Sequence, residues 1–435
     1  VSSYFLVARN GRSVKQALLY LLFSTGGAFL IMAGLISGSS GAGEIIPLSG
    51  LDFNTGVIIL LFSGFLIKTG AAGLHVWLPG FYAEADEDVT PFLSSLLSKI
   101  GIAGLFIFMS LIFYGEYETG VLYRVLGIMG GLTAFFGALL AVFQEDVKKL
   151  LAYSSMGQLG YILLGAAAAS HIGWVASLYI TVNHLLFKGI MFLSIAGVVS
   201  RVKTRSMYKM GGMIKRMPFS FTSFLIALIA LSGVPPLTGF GGKWLLYTAL
   251  MEKQWYLMEA LAIFSSAVAF LYCYRIIHTV FLGQLKTRHR QLKEASVWYL
   301  IPQYLFVMAI MAFSMYPNLL IKPIQAAVEA FRGSGVEWQG YTVLTSLGYW
   351  NGNAVMMVTM GVFMVPLVWL LLRVRSVQRV KQFNIVYAAE RPERPETTHF
   401  AHNFFAHYTK AVGFLVKPLV RNFWQGLGEW MATIS

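Results

Sequence analysis

Ser232-Gly-Val-Pro-Pro-Leu-Thr-Gly-Phe-Gly-Gly-Lys243 interrupts an otherwise apolar stretch, residues 217–251. That stretch is too long for one membrane-crossing helix, which needs about 20 apolar residues. Gly233, Pro235, Pro236 and Gly239 do not fit together inside a regular helix. Proline removes a backbone donor and clashes with the preceding turn, and glycine is the weakest helix former after proline. The stretch therefore predicts a discontinuous transmembrane helix with a lysine just past the break. A second interruption, Lys68-Thr-Gly-Ala-Ala-Gly-Leu-His75 followed by Pro79, predicts another, with Gly70 and Gly73 at its centre. Broken helices at membrane depth occur where the freed backbone groups are buried in protein or line a cavity. Two such breaks, each beside a lysine, predict an inverted repeat around an ion site near mid-membrane.

The rest of the chain fits this reading. Hydrophobic residues make up 57% of the 435 and charged residues only 12%. A soluble domain carries about twice that charge. Ten spans are predicted: 14–37, 56–76, 91–114, 122–143, 150–166, 174–199, 217–251, 257–282, 298–320 and 354–373. The fold class is thus an all-α polytopic membrane protein of about ten transmembrane helices. The formal net charge of +14 resides in short loops and the tail. Arg9, Arg12 and Lys15, Lys148 and Lys149, Arg201 to Arg216, Lys286 to Lys293, and Arg373 to Lys381 all fall on one side if the spans alternate. Loops 38–55, 115–121 and 167–173 hold no Lys or Arg. By the positive-inside rule, residue 1 and the tail face the cytoplasm in a multi-pass protein of the cytoplasmic membrane. This distribution argues against a nucleic-acid partner. Cys273 is the single cysteine, so no disulfide framework or cysteine metal site is expected.

The expected organisation is a helix end and loop over 1–13, the remainder of a first repeat over 14–114, a second repeat over 122–282, and further helices over 298–373. Residues 374–400, polar and proline-containing, read as a cytoplasmic linker. In 401–435, Phe404, Tyr408, Val412, Leu415, Leu419, Phe423 and Leu427 recur at helical spacing, as in an amphipathic helix on a membrane surface or along a partner. The opening Val-Ser-Ser-Tyr-Phe-Leu-Val-Ala reads as the last turns of a hydrophobic helix begun earlier.

Ionisable residues inside spans cost on the order of 3 kcal/mol each by insertion scales, and they mark function. Lys68, Lys99, His184, Lys188 and Lys243 fall inside spans, with no acidic residue deep in the same spans. A buried amine without a carboxylate partner tends to the neutral form and so can pass a proton on. His184 and Lys188, four residues apart, share a helix face. His75, Thr69, Asn183 and Thr238 are possible contributors. Arg275 and His278 read as interfacial. Lys99, near the start of its span, has the alternative of snorkelling to the interface.

At these residues the sequence resembles the antiporter-like membrane subunits shared by complex I, the Mrp cation/proton antiporters and the membrane-bound hydrogenases. The match rests on residues 66–80, 145–163 and 183–192, with Gly-Phe-Gly-Gly-Lys at 239–243, and covers residues 1 to about 320. The resemblance implies two inverted five-helix repeats, each with a broken helix. It implies Lys68 as central lysine of a first half-channel and Lys99 as bridging lysine. His184 and Lys188 would be the linking pair, and Lys243 the terminus of the second half-channel. The family's glutamate that pairs with the central lysine would lie before Val1. The first repeat is therefore expected to be incomplete, the chain being a fragment or another polypeptide supplying the helices. The implied function is proton or sodium/proton translocation in a redox complex of the complex I or hydrogenase kind. Homologous antiporter-like subunits would be neighbours, and soluble redox subunits indirect partners. An Mrp-type antiporter subunit, a proton-conducting subunit of a non-redox uptake system and a structural anchor are the alternatives. The sequence has no dinucleotide fingerprint, P-loop or cysteine cluster, so no cofactor, metal or catalytic residue is expected in this chain.

Overall fold

The computed structural model describes residues 2–9, 13–39, 53–114, 120–283, 285–333 and 335–373. The expected linker and amphipathic tail, 374–435, lie outside them. Four helices open the chain: α1 (Ser2–Ala8), α2 (Val14–Gly38), α3 (Thr55–Thr69) and α4 (Trp77–Glu84). Then come α5 (Thr90–Ile112), α6 (Gly120–Val142), α7 (Val147–Ala167) and α8 (His171–Val202). α9 (Pro218–Ser232), α10 (Thr238–Glu252), α11 (Tyr256–Leu282) and α12 (Val297–Met315) follow. α13 (Asn318–Arg332) leads to β1 (Glu337–Gln339), β2 (Thr342–Thr345) and β3 (Gly348–Asn351), and α14 (Gly352–Arg373) ends the described chain.

Among the described residues, seven helices are long and apolar enough to cross a membrane: α2, α5, α6, α7, α8, α11 and α12. α3, α9 and the Gly352–Pro366 part of α14 are apolar but shorter. Both predicted interruptions appear as helix ends. The span expected over 56–76 ends at Thr69, where Gly70 takes φ 71° as the left-handed C-cap. The stretch 217–251 splits into α9 and α10 around Gly233, φ 75°. Only glycine adopts that conformation without steric cost, which is why both helices stop there. Helix starts follow ordinary capping chemistry: Asn54 accepts from Val57 N, Asp146 from Lys148 N and Lys149 N, and Ser170 from Gly173 N.

α7 and α8 form the centre, with side chains buried on nearly all faces. α6 approaches α7 through small residues. A Cβ on Gly160 would stand 2.2 Å from Ala134 N, and one on Gly137 2.3 Å from Gly157 N. Small residues let helix backbones meet closely, the usual way helices pack in lipid. Outer helices instead present apolar side chains outward, including Leu22, Phe29 and Ile36 of α2 and Ile100 of α5. At the end of the bundle holding the α7–α8 turn, α13 packs on α8 and leads into the antiparallel sheet β1-β2-β3. Its register sets Trp338 opposite Val343 and Val343 opposite Trp350. Gly335 lies against His171, the first residue of α8. The opposite end carries Arg9, Lys148 and Arg205.

A buried cation path and two helix breaks

Lys68 lies in the last turn of α3, beside the first break. It is half-buried, and its Nζ donates to Ser24 O of α2 at 3.3 Å. α5 passes close: a Cβ on Gly101 would lie 3.1 Å from Lys68 Cβ. α5 contains a π-helical turn, Leu93–Leu97, immediately before Lys99. Such turns leave carbonyls displaced from regular pairing. Lys99 folds back on this turn, donating to Ser94 O at 2.9 Å and Ser98 Oγ at 3.0 Å. It therefore points along its own helix rather than out to an interface.

α8 carries His184 and Lys188, both fully buried. Lys188 Nζ reaches α7, donating to Leu151 O at 3.1 Å and Ser154 Oγ at 2.5 Å. The charges of Lys99, His184 and Lys188 lie within mutual electrostatic reach. Both ring nitrogens of His184 lack a hydrogen-bond partner. Asn183 faces the Tyr179 hydroxyl. Lys243, one turn into α10, folds back across the second break to donate to Ser232 O at 2.8 Å, with its amine 5.2 Å from the Tyr161 ring centroid. Cys273 of α11 is an electrostatic neighbour of both Lys188 and Lys243. His75, buried in the first break, stands edge-on to Tyr153 with ring centroids 6.3 Å apart. Tyr153 adjoins the Ser154 that holds Lys188.

The structure thus gathers Lys99, His184 and Lys188 and brings Lys243 near Lys188 through Cys273. Lys68 stands apart, joined by packing alone. Thr69 turns its hydroxyl to Leu66 O of its own helix, 3.0 Å. Thr238 is fully buried at the second break, its Oγ1 without a partner. Pro79 falls inside α4, and the Pro235–Pro236 peptide is cis.

Two sequence expectations need correction. Lys148, read as a loop residue, is buried in the first turn of α7. Its Nζ donates to Ala85 O at 2.5 Å and lies 3.4 Å from Glu87 Oε2. The Asp146 cap starts the helix early enough to carry Lys148 inward. A cation in the first turn opposes the helix dipole, which was the available signal that it serves another partner. Burial pushes the Glu87 carboxyl up, with Lys148 opposing. Arg275, read as interfacial, is buried and donates to Val142 O. Nearby, Arg205 contacts Glu84 at 3.1 Å and Asp146 at 3.3 Å, and Arg9 contacts Asp86 and Asp88. Tyr161, Cys273 and Ser154 were not placed in the site from sequence. Their types are ordinary in cores, and only the fold brings them to lysines.

Comparison with known proteins follows the same lines. The family described as NADH:quinone oxidoreductase/Mrp antiporter, TM, matches residues 1–270. Hydrogenase-4 component B of Escherichia coli is 34% identical over 275 residues, 58% of this chain and 40% of that protein. NADH-quinone oxidoreductase subunit N of Desulforudis audaxviator is 29% identical over 66% of this chain and 59% of its own length. A Na(+)/H(+) antiporter subunit of Alkalihalophilus pseudofirmus is 28% identical over 67% of this chain and 61% of its own length. The chain therefore spans about two fifths to three fifths of these relatives. In fold it is similar to a chain of an archaeal membrane-bound sulfane sulfur reductase, with TM-score 0.86 and 24% identity over 99% of this chain and 73% of that one. A chain of the Mrp complex from Dietzia is similar at TM-score 0.69 and 22% identity, covering 76% and 71%.

Proposed function

The chain belongs to the NADH:quinone oxidoreductase/Mrp antiporter transmembrane family, and on that premise we propose that it moves protons through Lys68, Lys99, His184, Lys188 and Lys243 as one subunit of a larger membrane complex. One observation carries this reading. Among the described residues, none of these five groups is held in an ion pair. The four lysines rest on backbone carbonyls, joined by serine hydroxyls at Lys99 and Lys188, and His184 is held by no hydrogen bond. A buried ion pair fixes its charges because separating them strands a charge in low dielectric. Neutral acceptors hold an ammonium without that lock, so a proton can leave and the amine can be recharged.

The relay is stepwise. Charge on Lys188 disfavours charge on Lys99 and His184, so protonation of one favours release from the others. His184, within electrostatic reach of both lysines, accepts on one nitrogen and releases from the other. Lys243 receives the proton near the second break. The basic end of the bundle faces the cytoplasm, and α2–α5 and α6–α11 correspond to the two inverted repeats, the first in part. The driving event lies in partner subunits. The similarity to hydrogenase-4 component B and complex I subunit N supports a redox complex. The Mrp relative keeps a second reading open, sodium-coupled exchange without redox chemistry.

Proton pumping in inverted vesicles carrying the intact complex tests the proposal with Lys243→Ala and Lys68→Ala. Pumping is expected to collapse with the complex still assembled. Unchanged pumping in both variants would make the lysines structural and the chain a scaffold. Dependence on sodium in the native complex would favour the antiporter reading.

A further inference from the structure

Strand β3 lies over the first turns of α10, just past the second helix break. The Trp350 indole rests on the α10 backbone: a Cβ on Gly241 would stand 2.0 Å from its ring. Gly241 is therefore the only residue type that admits this ring here. Trp350 is buried, in a box formed by Tyr179, Phe240 and Trp244 at ring-centroid distances of 6.4, 6.4 and 6.2 Å. Two residues on, Gly352 packs against Pro317 and Ser314 O at the end of α12. The strand is thus wedged between α10 and α12, at the end of the bundle opposite the basic loops.

Beneath it lie polar groups that an apolar packing site would not contain. Thr238 is 0% exposed, and its Oγ1 has no partner. Its backbone N–H is taken by Ser314 Oγ at 3.0 Å. Asn318 Oδ1, at the start of α13, is also buried without a partner. Buried polar groups are normally satisfied by protein or by ordered water. Thr238 Oγ1, at the break that holds Lys243, is thus left to pair with ordered water or a proton carrier. Tyr179, in the ring box, faces Asn183, which adjoins His184.

We infer that the path beyond Lys243 leaves the protein at this break, with Thr238 as the next hydroxyl and Trp350 as the seal that keeps the mouth closed between transfers. This rests on the relay through Lys243 proposed above. A relay with an open outer mouth would dissipate the gradient it builds, so a seal is a functional requirement, and the large, rigid indole supplies it. Thr238 is a positioning and relay group, and Trp350 controls access to it.

The experiment is passive proton permeability of proteoliposomes containing the purified intact complex, with no driving reaction, for Trp350→Ala, Trp350→Phe and Trp350→Ala with Lys243→Ala. Trp350→Ala is expected to leak several-fold faster than native, Trp350→Phe to stay near native, and the double variant to return to the native level. A Trp350→Ala leak at the native level overturns the seal. A leak that survives Lys243→Ala also overturns it, because the opened route would then bypass the lysine. If Trp350→Ala does not assemble, Gly241→Ala, whose new Cβ displaces the ring, is read by the same criteria. Failure of the relay itself is separate: it shows as unchanged pumping in Lys243→Ala alone.

Discussion

The two helix breaks use the same device and hold their lysines differently. Both upstream helices stop at a left-handed glycine, Gly70 at φ 71° and Gly233 at φ 75°. At the first break the lysine precedes the glycine and reaches across to Ser24 O on another helix, half-buried. At the second the lysine follows the glycine and folds back onto Ser232 O of its own broken helix, 6% exposed. The surroundings differ too. A Cβ on Gly239 would stand 1.7 Å from Ala230 O, whereas one on Gly73 would meet nothing within 4 Å. The second break is thus closed against backbone at Gly239, whereas the first, though Gly70 is tight against the Leu78 side chain, is open at Gly73. Their downstream halves are also fixed by different forces. α4 runs into an acidic loop clamped by Arg9, Lys148 and Arg205, while α10 is pinned by the aromatic contact of Trp350. One backbone solution can therefore serve sites of different rigidity, the difference lying in what packs around it.

Substitutions at the glycines sharpen this most. Gly239→Ala is expected to prevent assembly or to exceed the overpacking range of about 1–3 kcal/mol, because a backbone carbonyl and not a flexible side chain must move. Gly73→Ala, at φ 87° in open space, should cost only the left-handed backbone term, about 1–2 kcal/mol. Thermal midpoints of the purified complex compare the two; equal losses would erase the distinction between the closed position and the open one.

The charge clamp at the first break gives the next effect. Lys148→Ala leaves Glu87 without its buried partner and should cost about 2 kcal/mol, below the full range for a broken buried pair because 28% of the Glu87 side chain stays exposed. The sign of its pH dependence follows from burial, which already raises the Glu87 carboxyl. A raised acid keeps its contribution to the folded state in full below the ordinary carboxylate value and loses it as pH rises from there through the folded value. Without Lys148 the raise deepens. Melting of Lys148→Ala should therefore fall as pH rises from the acid side, and Glu87→Gln in the same background should flatten the profile. A profile that rises instead would mean the carboxylate finds another cation.

The smallest expected effect is at Asp146, which caps α7 and touches Arg205. Asp146→Ala should lower stability by about 1 kcal/mol, the ordinary value of an N-cap, and leave pumping unchanged at matched assembly. Loss of pumping in that variant would tie the clamp to transport and bring the two breaks closer in role than their packing implies.

Both interruptions, the long apolar helices and the five ionisable residues inside spans were legible in the sequence. Helix breaking by glycine and proline is local, and the cost of charge in lipid does not depend on the fold. The two interrupted stretches could be read from their glycines and prolines, but which glycine ends each helix, Gly70 and Gly233, came only with the structure. The family was legible as well, from residues 66–80, 145–163 and 183–192. What the sequence left open was every relation across the bundle. Lys148 counted as a loop cation until the fold set it against Glu87. Cys273 became relevant only by lying near Lys188 and Lys243, and Trp350, 107 residues from Lys243 by their numbers, only by meeting Gly241. Local backbone chemistry decides where helices start, stop and break. Which side chains then share a buried space depends on packing between segments far apart in the chain, and only the tertiary structure decides that.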